Sequence, residues 1–362
     1  MENFDLAIVG AGIIGASCAY CVSQCKPEWR LAVIDRSFAG DGATRYSVAL
    51  DLPFGRTPRQ KALAATSVRF YQKLKSSDSQ WPIRDISFAV VASAASIESV
   101  AAAFVETQFH VADNKERIYL QSFYPGLNLP HDCVVLVNAE ARYFMPQCLT
   151  RALLRRACAT GRAQFLEGTE IADIHKHNGE LTLLASDGRE ISARRAVLAT
   201  GPWITGGPGG LSIREEGIRT KKVVAMHIES PPKPNAPVLY FAEEDSFLFP
   251  HPEENRFMLS IASAEWDCPP EISELRTTSA DRLLATSILE RYCPDLMRHC
   301  SGSRVFCDAY SPDRAPLIAR MSALDGVVAA GACSGSGMRL APAIAMEALR
   351  LLDTSTEKEI KA

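Results

Sequence analysis

LAIVGAGIIGASCAY, residues 6–20, is the most informative stretch of this 362-residue chain. Its first four residues form an apolar run, which is typical of a buried parallel strand. Gly10, Gly12 and Gly15 then follow in the spacing Gly-x-Gly-x-x-Gly as a helix begins. In this pattern the first glycine permits a tight turn, the second lets a pyrophosphate approach the backbone, and the third lets helix and strand pack closely. The stretch therefore predicts a dinucleotide-binding unit.

A second apolar run, RLAVIDR at residues 30–36, ends in Asp35. In dinucleotide-binding folds an acidic residue at this point meets the ribose hydroxyls of adenosine. An acid there favours an unphosphorylated ribose, as in FAD or NAD. The alternative is a glycine turn in an unrelated α/β protein.

Composition and charge limit the class of partner. The chain is 47% hydrophobic and 22% charged, which is ordinary for a globular protein, and its length suits two domains. A net charge of -3 without blocks of like charge argues against nucleic acid or an anionic membrane surface. The charge balance therefore leaves a small-molecule substrate as the expected partner. No apolar run is long enough to span a bilayer. The oligomeric state stays open.

The 11 cysteines raise the possibility of a metal or redox site. Only Cys18, Cys21 and Cys25 cluster, on one face of the first predicted helix. Zinc sites usually take Cys-x-x-Cys from a turn with a second pair elsewhere, so we expect a packing face here and no metal site. So many unpaired thiols favour the reducing cytoplasm.

Three later stretches favour FAD over NAD. GDGATRYS (residues 40–47) is a glycine-rich loop suited to a diphosphate. GREISARRAVLATGPW (188–203) leads into another buried strand, and GVVAAGACSGSGMRLAPAIAMEALRLL (326–352) is predicted as strand, loop and helix. A dinucleotide fold assembled from both ends of a chain is a flavoprotein feature.

Together with EGTEI (167–171), GSR (302–304) and SPDRAPLIA (311–319), these motifs resemble the D-amino-acid oxidase superfamily of FAD enzymes. That superfamily includes glycine oxidase, sarcosine oxidase and D-arginine dehydrogenase, and the stretch at 53–71 most resembles the dehydrogenase branch. The resemblance covers nearly the whole chain. With the glycine fingerprint, it implies FAD contacts from Gly10, Gly12, Ile14, Gly15, Asp35, Arg36, Ala43, Thr44, Arg45, Ser47, Ile171, Thr200, Gly201, Trp203, Gly335, Ser336, Gly337 and Met338.

The implied fold is α/β, with a Rossmann-type FAD-binding domain and a second, mainly antiparallel-sheet substrate domain. The FAD-binding domain would be discontinuous, comprising residues 1–55, 140–210 and 300–355. Residues 56–139 and 211–299 would form the substrate domain. Within these limits the sequence predicts a helix from Pro146 that stops at Gly161, and a hairpin turning at residues 252–255.

The implied chemistry is oxidation of a carbon–nitrogen bond by hydride transfer to flavin N5, which gives an imine. A bidentate guanidinium best holds the carboxylate of an amino acid. Arg304 is the first candidate for this clamp, because it matches the strand from which the family presents such an arginine. Arg339 is the second, and Lys221 with Lys222 is expected to be a solvated pair.

Departures from the family pattern refine these expectations. Some sarcosine oxidases bind flavin covalently through a cysteine, but Cys307 is displaced from that position by one residue, which would reverse its face on a strand. We therefore expect noncovalent FAD. Leu50 and Phe54 indicate an apolar side-chain pocket, while His251 and the acidic segment at 242–246 are expected to face solvent.

Two other functions stay open at this point. One is an FAD-dependent monooxygenase of a biosynthetic pathway, although no second nicotinamide fingerprint is recognisable. The other is a flavin-binding module without catalysis of its own.

Overall fold

The computed structural model describes residues 3–177, 179–208 and 217–359, which form three sheets with helices packed between and around them. The glycine fingerprint lies at the centre of a six-stranded sheet. Its strands, in spatial order, are β18 (Leu317–Arg320), β19 (Val327–Gly331), β12 (Ala196–Leu198), β2 (Leu6–Val9), β3 (Leu31–Asp35) and β8 (Ala163–Glu167). Every neighbouring pair except β18 and β19 is parallel, which confirms the predicted dinucleotide-binding topology.

Three helices bury their apolar faces against this sheet: α1 (Ile13–Cys25), α6 (Pro146–Cys158) and α8 (Gly337–Glu359). The predicted helix is thereby confirmed, with Pro146 in its first turn and Gly161 in the left-handed region at φ +70° beyond its end. Cys18 and Cys21 lie in this core, as predicted for a packing face, and burial raises the pKa of the Cys21 thiol to about 12.

A small sheet packs against the other face of the six-stranded sheet through a shared apolar core. It consists of β1 (Asn3–Phe4), β11 (Glu190–Ala193), β10 (Glu180–Ala185) and β9 (Ile171–His177), in that order. His175 and His177 are exposed on β9.

The third sheet is large and mainly antiparallel. Its main path is β17 (Cys300–Tyr310), β13 (Arg219–Ile228), β16 (Arg256–Ile261), β15 (Ser246–His251), β14 (Val238–Phe241), β5 (Ile83–Ser93), β7 (Cys133–Phe144) and β4 (Leu50–Asp51), and β6 (His110–Val111) pairs with β7. Only β14 and β5 run parallel. The predicted hairpin is confirmed, because β15 and β16 pair antiparallel with His251 opposite Arg256.

The remaining helices are α2 (Ala43–Tyr46), α3 (Pro58–Ser77), α4 (Ile97–Ala102), α5 (Asn114–Gln121) and α7 (Ser279–Tyr292). Capping boxes begin α3, α5 and α7, so their first amide hydrogens are satisfied by local side chains. Tyr71 of α3 donates a hydrogen bond to the Met338 carbonyl at 2.6 Å and so fixes the start of α8.

The chain passes from the large sheet to the six-stranded sheet near the predicted domain boundary at residue 300. Strand β17 pairs with β13 across the large sheet from Cys300 to Tyr310. The chain therefore returns to the six-stranded sheet only after Tyr310. The domain limits stay a prediction.

Within the described ranges no helix is both long and apolar enough to cross a membrane. The eleven cysteines are all free.

Candidate active site

A cavity of about 320 Å³ lies between the six-stranded sheet and the large sheet. It opens at the carboxyl ends of β2, β12 and β19, which is where open α/β sheets bind their ligands. The large sheet supplies the opposite wall through Lys221, Val223, Tyr240, Phe247, Ser260, Phe306, Asp308 and Tyr310.

The glycine fingerprint is packed as the sequence predicts. Gly10 has φ +106°, and a Cβ there would lie 2.4 Å from the Ala199 carbonyl oxygen. A Cβ on Gly15 would lie 1.8 Å from the Gly10 carbonyl oxygen. Gly12 is less crowded, with Thr44 Oγ1 at 3.3 Å as its only near neighbour, and it lines the cavity. Gly10 and Gly15 are therefore required for close backbone packing of the turn, and Gly12 leaves the cavity side of the turn without a side chain.

Asp35 holds this turn in place. Its carboxylate accepts hydrogen bonds from Ala11 N at 2.7 Å and from Ser37 N at 2.8 Å. Burial raises its pKa, although these two amides oppose the shift. Arg36 beside it stacks over the Trp203 ring at 4.4 Å and pairs with Glu271.

The structure divides the predicted FAD residues into two groups. One group lines the cavity: Gly12, Ile14, Ala43, Thr44, Ser47, Gly201, Gly335, Ser336, Gly337 and Met338. The other group lies outside its lining and comprises Gly10, Asp35, Gly15, Arg36, Arg45, Ile171, Thr200 and Trp203. Arg45 is exposed and pairs with Asp41, and Ile171 is buried in the core. Thr200 carries a buried Oγ1 without a hydrogen-bond partner among the described residues.

Arg339 reaches the cavity wall from the first turn of α8. Its Nη2 donates to Ser336 Oγ at 2.8 Å, and its guanidinium lies 5.6 Å from the Phe54 ring centroid. Its Nε is buried and has no partner in the described structure. Burial lowers the pKa of this arginine, and the nearby carboxylate of Asp51 partly offsets that effect. N–H groups of the Arg339 guanidinium therefore remain available to bind an anion in the cavity.

Arg304, the first sequence-predicted clamp, lies outside the cavity lining. It shares a face of β17 with Phe306 but sits one step further from the six-stranded sheet, opposite Ala225. There its guanidinium donates to Glu254. Arg339 therefore lines the cavity, whereas the guanidinium of Arg304 is bound by Glu254 of the same chain.

His251 also belongs to the neighbourhood of Arg304, and the expectation of an exposed loop histidine is wrong. It is buried at the end of β15 beside the rings of Tyr143 and Phe249. Burial lowers its pKa, while the carboxylates of Glu254 and Glu253 oppose the shift.

The acidic segment at 242–246 is exposed at Glu243 and Asp245, as expected from the sequence, and Asp245 also borders the cavity. Asp245 lines the cavity and accepts hydrogen bonds from Tyr240 Oη at 3.0 Å and from Arg56 at 3.1 Å. Arg314 approaches it at 3.9 Å. Three separate chain segments thus meet at this charged side of the cavity, next to the apolar ring of Phe54.

The two lysines on β13 are not the solvated pair that we expected. Lys221 is half-buried, lines the cavity and lies 4.9 Å from the Trp266 ring and 5.5 Å from the Tyr310 ring. Lys222 points the opposite way, is buried, and pairs with Asp281 at 2.8 Å. The alternation of a strand explains why adjacent lysines have different environments.

Asp308 is the functional candidate that sequence reasoning missed. It follows Phe306 on the cavity face of β17, and its carboxylate accepts from Gly335 N at 2.8 Å and from Ala309 N at 2.9 Å. Burial raises its pKa to about 6, because only these two amide donors oppose the desolvation of its charge. The sequence feature that could have identified Asp308 is the alternation of β17, because it places residues 306, 308 and 310 on one face of the strand.

Cys307 lies on the other face of β17. It packs with Cys268 and Leu275 away from the cavity. Burial raises the pKa of its thiol to about 12, which keeps it protonated and unreactive.

Comparison with known proteins identifies the family of this architecture. The family model described as FAD dependent oxidoreductase matches residues 5–351. A relative described as uncharacterized oxidoreductase YurR of Bacillus subtilis (strain 168) is 24% identical over 375 residues, covering 98% of this chain and 96% of the relative.

Solved structures share the fold at low sequence identity. L-proline dehydrogenase from P. horikoshii superimposes with a TM-score of 0.79 at 18% identity, covering 98% of this chain and 94% of that one. Glycine oxidase from Geobacillus kaustophilus gives a TM-score of 0.76 at 16% identity, with 98% and 95% covered.

Proposed function

Because the chain belongs to the family of FAD-dependent oxidoreductases, we propose that it oxidises the carbon–nitrogen bond of an amino acid or a related amine. The observation that carries this proposal is the position of Arg339. It lies in the cavity wall at the start of α8, and its buried Nε lacks a partner among the described residues. A planar guanidinium with free donors suits a substrate carboxylate.

The residues present fit FAD, the cofactor of this family. Gly10 and Gly15 let the turn pack closely against Ala199 and α1, and Gly12 lines the cavity without a side chain, so that the backbone is open to a pyrophosphate. The unpartnered hydroxyl of Thr200 next to that turn is a further polar group available to the dinucleotide. We propose that Asp35 contacts the ribose and that FAD is bound noncovalently, since Cys307 faces away from the cavity.

When bound, FAD supplies the electron acceptor for the reaction. The protein's part is to bind and orient the substrate and to exclude water. We assign carboxylate binding to Arg339, while Leu52, Phe54 and Phe104 supply an apolar wall for the side chain. This wall agrees with the apolar pocket predicted from Leu50 and Phe54.

The names of the structural neighbours support the substrate class. Glycine oxidase and L-proline dehydrogenase each act, by name, on an amino acid. We carry this substrate class, and neither particular substrate, to the present chain.

The proposal is tested by anaerobic titration of the yellow holoenzyme with D-, L- and N-methyl amino acids and simple amines. Loss of the oxidised flavin absorbance with one of these classes is the expected result. Reduction by NADPH but by none of the amines would overturn the proposal.

Two arginine variants then locate the clamp. Arg339→Met removes a charged hydrogen-bond donor, so we expect the apparent Kd of an amino-acid substrate to rise about 10- to 100-fold. Arg304→Gln tests the sequence-predicted site and is expected to have a much smaller effect. Arg69→Gln, which changes an exposed arginine, is the matched control. A larger loss in the Arg304 variant than in the Arg339 variant would return the clamp to Arg304.

A further inference from the structure

We propose that Asp308 binds the ammonium group of the substrate and accepts its proton, so that the amine is neutral when its carbon–nitrogen bond is oxidised. This inference rests on the proposed function and adds to it a catalytic acid–base residue. It assigns the two charged groups of an amino acid to two named side chains of the cavity.

The geometry of Asp308 suits a role in binding. Its side chain faces the cavity from β17, and each carboxylate oxygen accepts one backbone amide, from Ala309 and from Gly335. These two hydrogen bonds fix the orientation of the carboxylate. Because each oxygen has two lone pairs, both keep an acceptor site for a group in the cavity.

Asp308 differs from the buried acids Asp51 and Asp281, each of which forms an ion pair. Asp51 is bound by Arg142 at 3.0 Å, and Asp281 is bound by Lys222 at 2.8 Å. Over residues 3–177, 179–208 and 217–359, no ion pair involves Asp308. A charge that is shielded from water and has no counter-ion is unfavourable, and its presence in a cavity indicates a functional role. A substrate ammonium would supply the missing counter-ion.

Asp308 and Arg339 are held by consecutive residues of one loop. Asp308 accepts from the amide of Gly335, and Arg339 donates to the hydroxyl of Ser336. The side chain of Cys333 lies within the electrostatic influence of both groups. Asp308 and Arg339 thus both line the cavity and are both anchored to this loop, and they supply an acid and a guanidinium for the ammonium and carboxylate of a zwitterion.

The surrounding groups leave Asp308 as the proton acceptor. Tyr310 and Cys307 on β17 and Cys333 in the loop all have their pKa raised by burial, so they stay protonated. Lys221 lies opposite Asp308 in the β13–β17 register, but these two described side chains form no ion pair. Burial raises the pKa of Asp308 to about 6, which lets it take a proton near neutral pH.

The proton and electron count of the step balances. An N–H bond of the ammonium breaks, and its proton goes to a carboxylate oxygen of Asp308. The nitrogen lone pair then forms the C=N bond as the α-carbon–hydrogen bond breaks. That hydrogen leaves with its electron pair to FAD, the family's oxidant, and Asp308 releases its proton to solvent.

The test is the pH dependence of anaerobic flavin reduction in Asp308→Asn, with Asp308→Ser as a second variant. Near pH 7 we expect the second-order rate of reduction to fall about 100-fold or more, since general base catalysis is worth about 10²–10⁴-fold. The rate of the variants should then rise about tenfold per pH unit up to the pKa of the substrate amine, because the free amine bypasses the base. Asp187→Asn, an exposed acid on the β10–β11 turn, is the matched control.

Acetate provides a readout of whether the cavity is intact. Because it lacks an amine, its affinity, measured from the flavin spectrum, should change less than about threefold in Asp308→Asn. A pH profile in either variant that matches the wild type would overturn this inference alone. Failure of the wild type to be reduced by any amine would instead refute the proposed function, and this inference with it.

Discussion

The ammonium group of Lys222 lies 2.8 Å from the carboxylate of Asp281, and neither side chain is more than 4% exposed. The pair joins β13 to the first turn of α7 directly behind the cavity wall. Ser263, which lines the cavity, also donates to Asp281 at 2.8 Å. Burial opposes the charge of Lys222, but the hydrogen bonds that its ammonium donates to Asp281 and Glu265 outweigh this effect and raise the lysine pKa.

Replacing Lys222 by methionine is therefore expected to destabilise the fold. The substitution leaves the buried Asp281 without its counter-ion, and breaking one partner of such a pair costs about 3–5 kcal/mol. The free energy of unfolding, measured by urea denaturation of the holoenzyme, should fall by this amount. Lys176→Met is the matched control, because Lys176 forms an exposed pair with Asp325 worth at most about 1 kcal/mol. Equal losses in the two variants would show that the buried pair is not important for stability.

Local sequence patterns were sufficient to predict the elements proposed to bind the dinucleotide. The spacing of Gly10 and Gly15 requires close backbone contacts, and those contacts lie within the same turn or with the adjoining strand β12. The hairpin at 252–255 is likewise specified by the residues on either side of it. These features could be predicted because the interacting groups are near in sequence or follow a fixed motif.

The substrate side of the cavity depends on long-range packing, which local patterns do not reveal. The sequence predicted that Lys221 and Lys222 are both solvated. It could not show that Lys222 is buried and paired, because its partner Asp281 lies on α7, far away in sequence. Arg304 matched a motif, yet its guanidinium donates a hydrogen bond to Glu254 from the β15–β16 turn. To recognise Asp308 as a cavity acid, one must know which face of β17 points toward the cavity and where Gly335 lies.

Gly15→Ala is expected to abolish FAD binding. The new Cβ would lie 1.8 Å from the Gly10 carbonyl oxygen, so α1 could not keep its distance from the glycine turn, which is proposed to bind the pyrophosphate. The amount of flavin that copurifies, measured by absorbance, should fall to background. Gly206→Ala is the control, because nothing lies within 4 Å of its added Cβ. Full flavin content in the Gly15 variant would contradict the assigned role of the glycine turn.

Asp308 should make the protein less stable as pH rises. Its folded-state pKa of about 6 lies above the ordinary value for an aspartate, about 3.9. Between these values the folded state binds more protons than the unfolded state, so stability falls as pH increases from about 4 through 6. Asp308→Asn removes the titrating group and should therefore raise the Tm more at pH 8 than at pH 4.5. Thermal unfolding with excess FAD at both pH values measures this, and an equal change in Tm would contradict the elevated pKa.

The orientation of Cys307 leads to a prediction about how the flavin is held. Its thiol packs with Cys268 and Leu275 on the face of β17 opposite Phe306 and Asp308. A thioether to a flavin in the cavity would require β17 to turn over, which its continuous pairing with β13 opposes. Acid precipitation of the holoenzyme should therefore release the yellow colour into the supernatant, to the same extent from Cys307→Ser as from the wild type. Flavin that stays with the wild-type pellet and is freed from the variant would show covalent attachment, and the register of β17 would then have to differ from the one described.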